Sequence, residues 1–302
     1  MALNQRASIN AVINMVMSQA DGIGESKTEA KADSEKLGQN GQSISTKAHS
    51  ISTKEALKST LTQYLNHTKE NNTGRVLNNV NADTMKDYIN HKIEQGNSLS
   101  SINTEISLLG KAADNLNQLN INTVSRADIT EYRQELKEQG HNLQSDNIDR
   151  TNSNPTAIVQ AMNSDSPHGL SATLQHEAGL RSGDATDSGK WTLNNDNTLT
   201  IEGSKNGLTY TTTALSQETA ERVKEAIENG YQVSYNEYRQ ELKEATEGTG
   251  QEWQGTHSLR YDHINEKHEQ NKADGKTEEE SKAELSIQNG HSRTEITDHY
   301  LR

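Results

Sequence analysis

The large apolar residues of this chain are few, but they recur at the spacing of a helix face. Leu57, Leu61 and Leu65 stand at positions i, i+4 and i+8 of the stretch STKEALKSTLTQYLNHTKE. Residues at these offsets lie on one side of an α-helix, and disordered polar tracts show no such order. Composition alone favours a disordered or weakly stable chain, because only 29% of the residues are hydrophobic and the net charge is -13. The periodicity favours packed helices instead.

Similar helical patterns cover most of the 302 residues, and one stretch differs from them. The segments NTLTIEG and GLTYTTT are rich in Thr, alternate in part, and are joined by Ser204, Lys205 and Asn206, which predicts a β-hairpin. We therefore predict a mainly α protein with a small antiparallel hairpin or sheet. Changes in composition predict four regions: an N-terminal helix and polar linker over 1–50, a helical domain over 51–122, an interdomain helix and linker over 123–154, and a second domain over 155–302.

The residue types that are missing exclude several classes of site. The chain has no Cys, so it contains no disulfide, thiolate metal ligand or Cys nucleophile, which is compatible with a reducing cytosol. No apolar run approaches the roughly 18 residues that a membrane span needs. We expect a soluble, cytoplasmic protein without a membrane partner.

Acidic charge is concentrated in the second half of the chain. Residues 1–120 carry no net charge, residues 121–150 carry -2 and residues 151–302 carry -11. An acidic surface repels phosphates, which argues against casual binding of nucleic acid. Any cationic site in this half would have to keep the acidic side chains on its outer face.

Four short polar clusters in the second half carry cationic or nucleophilic side chains. Taken singly, each is weak evidence, because such residues usually cap helices, pair with charges or pack. Together, two Arg, one Lys and two His can hold a phosphate and stabilise charge on its oxygens, and a Tyr hydroxyl can act as a covalent nucleophile. In chain order the clusters are HEAGLRSGD with Arg181 and Asp184, GSKNG with Lys205, GTHSLRYDH with His257 and Arg260, and NGHSRTEITDHY with His291 and Tyr300.

The sequence gives no reason to expect a cofactor. Nothing in it resembles a carboxylate cage for a metal or a Gly-rich loop for a nucleotide phosphate. A metal site built from His257, His263 and His268 is an alternative, but the spacing of these residues fits no strong signature.

The order of these clusters resembles that of the tyrosine recombinase (phage integrase) family. The shared pattern is Arg…Lys…His-x-x-Arg…Gly-His-x8-Tyr. Residues 51–120 resemble the helical, SAM-like core-binding domain of that family, and residues 153–302 resemble its catalytic domain, the DNA breaking-rejoining fold. The segments GIGESKTEAK and GHSRTEITDHYLR are similar to those of a subgroup found on phages and integrative elements.

The resemblance implies a covalent mechanism centred on Tyr300. This residue would attack the scissile phosphate and form a 3′-phosphotyrosyl link, while Arg181 and Arg260 would clamp the non-bridging oxygens. The family needs neither metal nor ATP, because the covalent link stores the bond energy. The implied activity is site-specific DNA recombination.

The remaining polar positions acquire supporting roles from the same resemblance. His257 would assist proton transfer at the phosphate, and His291 would donate a hydrogen bond to it. Lys205, in the hairpin turn, would protonate the leaving 5′-hydroxyl. Asp184 matches an acidic position three residues after the first Arg and would support the architecture.

The implied partners follow from the family as well. They are double-stranded DNA recombination sites, a homotetramer assembled on two duplexes that exchange strands through a Holliday junction, and accessory DNA-bending or directionality factors. Two alternatives stay open. One is a catalytically weakened or inactive relative that keeps the fold and binds DNA, and the other is an acidic helical protein that acts through protein contacts.

Overall fold

A computed structural model of the protein describes residues 8–32, 43–73, 76–121, 124–141, 143, 149–291 and 293–301. The chain forms two compact units, Met1–Asp146 and Asn147–Arg302. Helices dominate both units, and a small antiparallel sheet lies in the second. The prediction of a mainly α protein with a small antiparallel sheet is confirmed.

Apart from an isolated β-bridge between Asp21 and Ala48, the regular elements of the first unit are helices in its described residues. Its α-helices are α1 (Ile9–Gln19), α2 (Lys27–Ala32), α3 (Ile51–Asn71), α4 (Ala82–Glu94), α5 (Leu99–Gln118), α6 (Arg126–Thr130) and α7 (Tyr132–Glu138), with a 3-10 turn at Val76–Asn79.

The leucine stripe of α3 forms the centre of the first core. Leu57, Leu61 and Leu65 are fully buried, and the helix that carries them begins where the Ser50 side chain accepts a hydrogen bond from the amide of Thr53. Helices from outside the region 51–122 join the same core: α1 contributes residues such as Val12 and Val16, and α6 and α7 contribute Ile129 and Leu136. The helices over 123–138 therefore belong to the first unit.

The second unit combines seven α-helices with three short strands in the described residues. They are α8 (Pro155–Asp165), α9 (Gly169–Ala178), α10 (Ser182–Ala185), β1 (Trp191–Leu193), β2 (Leu199–Ile201), β3 (Tyr210–Thr211), α11 (Gln217–Glu228), α12 (Tyr235–Gly248), α13 (Ser258–Ala273) and α14 (Glu278–Gln288), with 3-10 turns at Ser188–Lys190, Lys205–Gly207 and Thr294–His299.

The sheet has the order β1-β2-β3 and is antiparallel throughout. Ile201 pairs with Trp191 on one side and with Tyr210 on the other. The two arms of the predicted hairpin are present as β2 and β3, although both are shorter than the sequence pattern suggested. Strand β1 was not predicted. It is held next to α10, since Nε1 of Trp191 donates a 2.7 Å hydrogen bond to the carbonyl of Asp184.

Two left-handed turns determine where α9 and α14 stop. Gly179, with φ +64°, ends α9, and Gly290, with φ +61°, follows the end of α14. These backbone angles favour glycine, because other residues rarely adopt them. Helix α13 packs against both α9 and α14, and residues at the ends of those two helices contact Arg260 in its first turn. Among the described residues, no helix is both long and apolar enough to cross a bilayer.

Candidate active site

Arg260 is a fully buried cation in the first turn of α13. Its Nη1 donates to the carbonyl of Gly179, and its Nη2 donates to the carbonyl of Asn289 at 2.8 Å and to Nε2 of His291 at 2.8 Å. Gly179 and Asn289 are the residues that terminate α9 and α14. The C-terminal end of a helix carries partial negative charge, so the two helix ends stabilise the guanidinium.

His291 is neutral in this arrangement. Nδ1 of its ring lies 2.9 Å from Oγ1 of Thr297, and Nε2 faces Arg260. Burial of the ring, with the charges of Arg260 and then Arg181, lowers the pKa of His291 to about 3. Because a guanidinium only donates hydrogen bonds, Nε2 must be the accepting nitrogen and Nδ1 must carry the proton.

Arg181 approaches the same place from the end of α9. Its Nη2 donates a 2.6 Å hydrogen bond to the carbonyl of Gly290, and its Nη1 donates to Oγ of Ser204 at 3.0 Å. Ser204 in turn donates to Oδ2 of Asp184 at 2.5 Å. The carboxylate lies 3.8 Å from Arg181 and also accepts from the hydroxyl of Tyr210 at 3.4 Å. Asp184 therefore positions Arg181 through Ser204.

Tyr300 lies beside both basic groups. Its ring stacks on His291 at 5.1 Å with an interplanar angle of 22°, and the guanidinium of Arg260 lies 5.3 Å from the ring centroid. The ring also contacts Tyr261 at 4.5 Å, and Nδ2 of Asn265 donates a 2.5 Å hydrogen bond to the Tyr300 carbonyl. Tyr300 follows the 3-10 turn Thr294–His299 and is a packed part of the centre.

His257 and Lys205 occupy the margin of the centre. His257 precedes the first residue of α13, and burial together with the charges of Arg260 and Arg181 lowers its pKa to about 4. Lys205 is exposed at the start of its 3-10 turn, and its charge is a further contribution to the low pKa of His257. Lys205 directly follows Ser204, whose hydroxyl accepts from Arg181, while its own side chain faces solvent.

The structure also identifies residues that the sequence motifs did not indicate. Gly179, Asn289 and Gly290 supply carbonyls to the two arginines, and a Cβ on Gly290 would lie 2.5 Å from the ring of Tyr210. A Cβ on Gly179 would lie 2.5 Å from Cδ2 of His263 and closer still to Asn289. The one signal in the sequence is that each glycine follows a helical stretch, which predicts a helix end but not a contact.

The histidines of the alternative metal site have other partners. Nδ1 of His263 lies 3.0 Å from the carbonyl of His176, and Nδ1 of His268 lies 2.8 Å from Oγ of Ser281. Within the part of the chain that the structure describes, no group of three or more His, Asp or Glu side chains is arranged to hold a metal ion. The interpretation of His257, His263 and His268 as metal ligands therefore finds no support in their geometry.

Comparison with known proteins finds similarity at the level of the fold. No protein-family model matches the sequence, and no curated protein sequence matches it. Solved structures do match. A lambda integrase dimer bound to a COC′ core site superposes with a TM-score of 0.61 and 18% identity, covering 84% of this chain and 73% of the integrase chain.

Two further structures agree with this match. The lambda integrase tetramer bound to a Holliday junction gives a TM-score of 0.59 at 16% identity, with the same coverage of 84% and 73%. The Tn1549 transposon integrase in complex with transposon right end DNA gives a TM-score of 0.55 at 12% identity, covering 95% of each chain. The chain therefore shares the fold of lambda integrase and the Tn1549 integrase, both of them tyrosine recombinases.

Proposed function

We propose that this chain is a site-specific DNA recombinase that breaks and rejoins DNA through a 3′-phosphotyrosyl intermediate. The observation that carries the proposal is the position of Tyr300, whose ring lies on His291 and 5.3 Å from the guanidinium of Arg260. A nucleophile, a neutral imidazole and a permanent cation thus occupy one centre. The fold shared with lambda integrase and the Tn1549 integrase, both solved with DNA, supports the same assignment.

The chemistry assigns a role to Tyr300, His257, Lys205 and the two arginines. In the arrangement described, Thr297 and Arg260 engage both ring nitrogens of His291, so no N–H of that ring is left for the phosphate. The phenolic oxygen of Tyr300 would attack phosphorus and break the bond to the 5′-oxygen. His257 would assist proton transfer by accepting the phenolic proton as the bond to phosphorus forms. Lys205 would give a proton to the leaving 5′-oxygen. Arg181 and Arg260 would stabilise the charge that develops on the non-bridging oxygens.

Rejoining reverses these steps on a second strand. A 5′-hydroxyl would attack the phosphotyrosyl bond and release Tyr300, so the energy of the original phosphodiester is conserved in the covalent link and ATP is not consumed. Two duplexes and a tetramer of this chain would be required for a full exchange. Double-stranded recombination sites are the proposed partner. Accessory DNA-bending or directionality factors are proposed as additional partners.

The burial of Arg260 sets a condition on this mechanism. The residue has no exposed surface, and Tyr300 lies over its guanidinium. A phosphate can reach Arg260 only after the ring of Tyr300 has moved aside. We therefore infer that DNA binding displaces the ring of Tyr300 from the guanidinium of Arg260 before cleavage.

Covalent trapping tests the proposal. A DNA library selection with the purified protein would supply the binding site, and a nicked suicide duplex of that site would prevent religation. We expect a covalent protein–DNA adduct that survives denaturation and is lost in Tyr300→Phe. Tyr235→Phe is a matched control, because Tyr235 is an exposed tyrosine whose hydroxyl contacts Thr256, and it should retain the adduct.

Two other outcomes would change the assignment. Binding of the selected duplex without any adduct would favour a non-catalytic DNA-binding relative, in keeping with the charge of -11 on residues 151–302. Absence of DNA binding in both low and moderate salt would favour an acidic protein that acts through protein contacts.

A further inference from the structure

Thr297 connects two residues of the centre through its side chain and its backbone. Oγ1 of Thr297 lies 2.9 Å from Nδ1 of His291. The carbonyl of Thr297 accepts hydrogen bonds from the amide of Tyr300 at 2.9 Å and from the amide of Leu301 at 3.3 Å. Thr297 is fully buried within the 3-10 turn Thr294–His299. No motif in the sequence indicated this residue.

Arg260 determines what Thr297 must do. An arginine side chain has only N–H donors, so Nε2 of His291, 2.8 Å from Nη2 of Arg260, has to present its lone pair. A neutral imidazole with a lone pair on Nε2 carries its proton on Nδ1. That proton points to Oγ1 of Thr297, which is the acceptor the structure provides at Nδ1.

Burial makes this acceptor hard to replace. Because Thr297 has no exposed surface, solvent does not stand in for its hydroxyl in the folded protein. Without the hydroxyl, the Nδ1–H tautomer would leave a buried donor unpaired, at a cost of about 1–3 kcal/mol. The other tautomer would place an N–H of His291 against an N–H of Arg260. Either result weakens the contact between His291 and Arg260.

We propose that Thr297 is a positioning residue of this centre: its hydroxyl holds His291 in the Nδ1–H tautomer, and its carbonyl holds the backbone of Tyr300 beside that ring. The juxtaposition of His291, Thr297 and Arg260 carries the proposal. The effect of Thr297 on the His291 tautomer and on the Tyr300 backbone does not depend on the proposed function, whereas its consequence for DNA cleavage does. The same turn thereby sets the orientation of the imidazole and the place of the nucleophile.

The tautomer can be measured without DNA. Imidazole nitrogen shifts from ¹⁵N-histidine-labelled full-length protein distinguish Nδ1–H from Nε2–H, and the His291→Gln spectrum identifies the His291 signals among those of the 11 histidines. We expect the Nδ1–H form in the wild type and in Thr297→Ser, which keeps the hydroxyl. In Thr297→Val, which keeps the shape and loses the acceptor, we expect the Nδ1 signal to shift or a mixture of tautomers.

Two results of this measurement would overturn the proposal. One is a wild-type His291 that is mainly in the Nε2–H form, and the other is a folded Thr297→Val protein with an unchanged Nδ1–H signal. If Thr297→Val fails to fold, judged by circular dichroism, the wild-type and Thr297→Ser spectra still decide the tautomer. Thr297→Ser should then match the wild type.

Covalent trapping measures the consequence for cleavage. On the suicide duplex selected above, we expect Thr297→Val to form the adduct about 10- to 100-fold more slowly, with DNA affinity unchanged and with Thr297→Ser within about threefold of the wild type. Equal rates in all three proteins would overturn the catalytic part. If the wild type forms no adduct, the proposed recombinase function fails, and the spectra still report on the role of Thr297.

Discussion

Nη2 of Arg260 lies 2.8 Å from Nε2 of His291, so a permanent cation donates to an imidazole at the centre of the second unit. This contact exists only while His291 is neutral. Burial disfavours the protonated ring, and protonation would also set two positive charges against each other, so the pKa of His291 is lowered to about 3. The contact between Arg260 and His291 therefore affects how stability depends on pH and how substitutions of nearby residues act.

The free energy of unfolding should fall as the pH is lowered below about 6.5. The pKa values of His257, His263 and His291 are lowered to about 4, 3 and 3, in each case mainly by burial. At a pH between the unfolded pKa of about 6.5 and the folded pKa values, the unfolded chain binds more protons than the folded chain. Each of these histidines therefore lowers the free energy of unfolding by about 1.4 kcal/mol for every unit by which the pH falls. Thermal melts from pH 7.5 to 5 measure this slope. His291→Gln should make it shallower, and an unchanged slope would contradict the prediction.

The titration of Asp262 should change the free energy of unfolding in the opposite direction. The residue is buried on α13, and burial raises its pKa to about 6, so between about 4 and 6 the folded chain binds the extra proton and stability rises as the pH falls. Its oxygens accept from the backbone amide of Asn152 at 2.7 Å and from the Asn152 side chain at 2.5 Å.

We therefore expect Asp262→Asn to lower the free energy of unfolding by about 1–3 kcal/mol at pH 5, where the wild-type carboxyl is largely protonated and one donor of Asn152 loses its acceptor, and by less at pH 7.5, where the substitution also removes a buried charge. The deficit should also change across the pH range of about 4 to 6, where the wild-type carboxyl titrates. Urea denaturation at pH 7.5 and pH 5 measures both. Glu269→Gln is a control on the same helix, where the side chain is exposed, and a pH-independent deficit in Asp262→Asn would speak against a titrating carboxyl.

Gly179→Ala should be strongly destabilising. The new Cβ would lie 2.5 Å from Cδ2 of His263, and the carbonyl of Gly179 is an acceptor for buried Arg260. Gly230→Ala is a matched control, because Gly230 has φ +65° against +64° for Gly179 and nothing lies within 4 Å of its added Cβ. Gly230→Ala should cost about 1 kcal/mol from backbone strain alone, and Gly179→Ala should cost at least about 2 kcal/mol more. Chemical denaturation measures both, and equal losses would rule out the clash.

Ser204→Ala should loosen Arg181. Ser204 accepts from Arg181 at 3.0 Å and donates to Asp184 at 2.5 Å, whereas the direct distance between the two charges is 3.8 Å. Removing the hydroxyl leaves a buried carboxylate with one donor fewer, at a cost of about 1–3 kcal/mol. We expect a lower melting temperature and slower adduct formation on the selected duplex. Ser153→Ala, at an exposed hydroxyl that contacts Gln251, should alter neither, and wild-type behaviour of Ser204→Ala would refute the bridging role.

Much of the architecture was accessible from local patterns in the sequence. The i, i+4, i+8 leucines of α3 became the buried face of a helix, because periodicity determines which side chains can be buried together. The Thr-rich arms around Ser204 formed β2 and β3 for the same local reason. Strand β1 was missed, since its three residues, Trp191–Leu193, are too short to show a period and depend on pairing with β2.

For the candidate site, the sequence by itself determined the kinds of side chain and their order from Arg181 to Tyr300. Tertiary structure decided which of them meet. Arg260 and His291 are 31 positions apart and touch because α13 packs against the end of α14. Gly179, Asn289 and Thr297 were chemically ordinary in the sequence. They matter because a buried guanidinium needs carbonyl and imidazole acceptors, and a neutral imidazole needs a place for its proton. Those requirements arise only when the groups are buried together in the folded protein, and no single stretch of the sequence shows which groups will be.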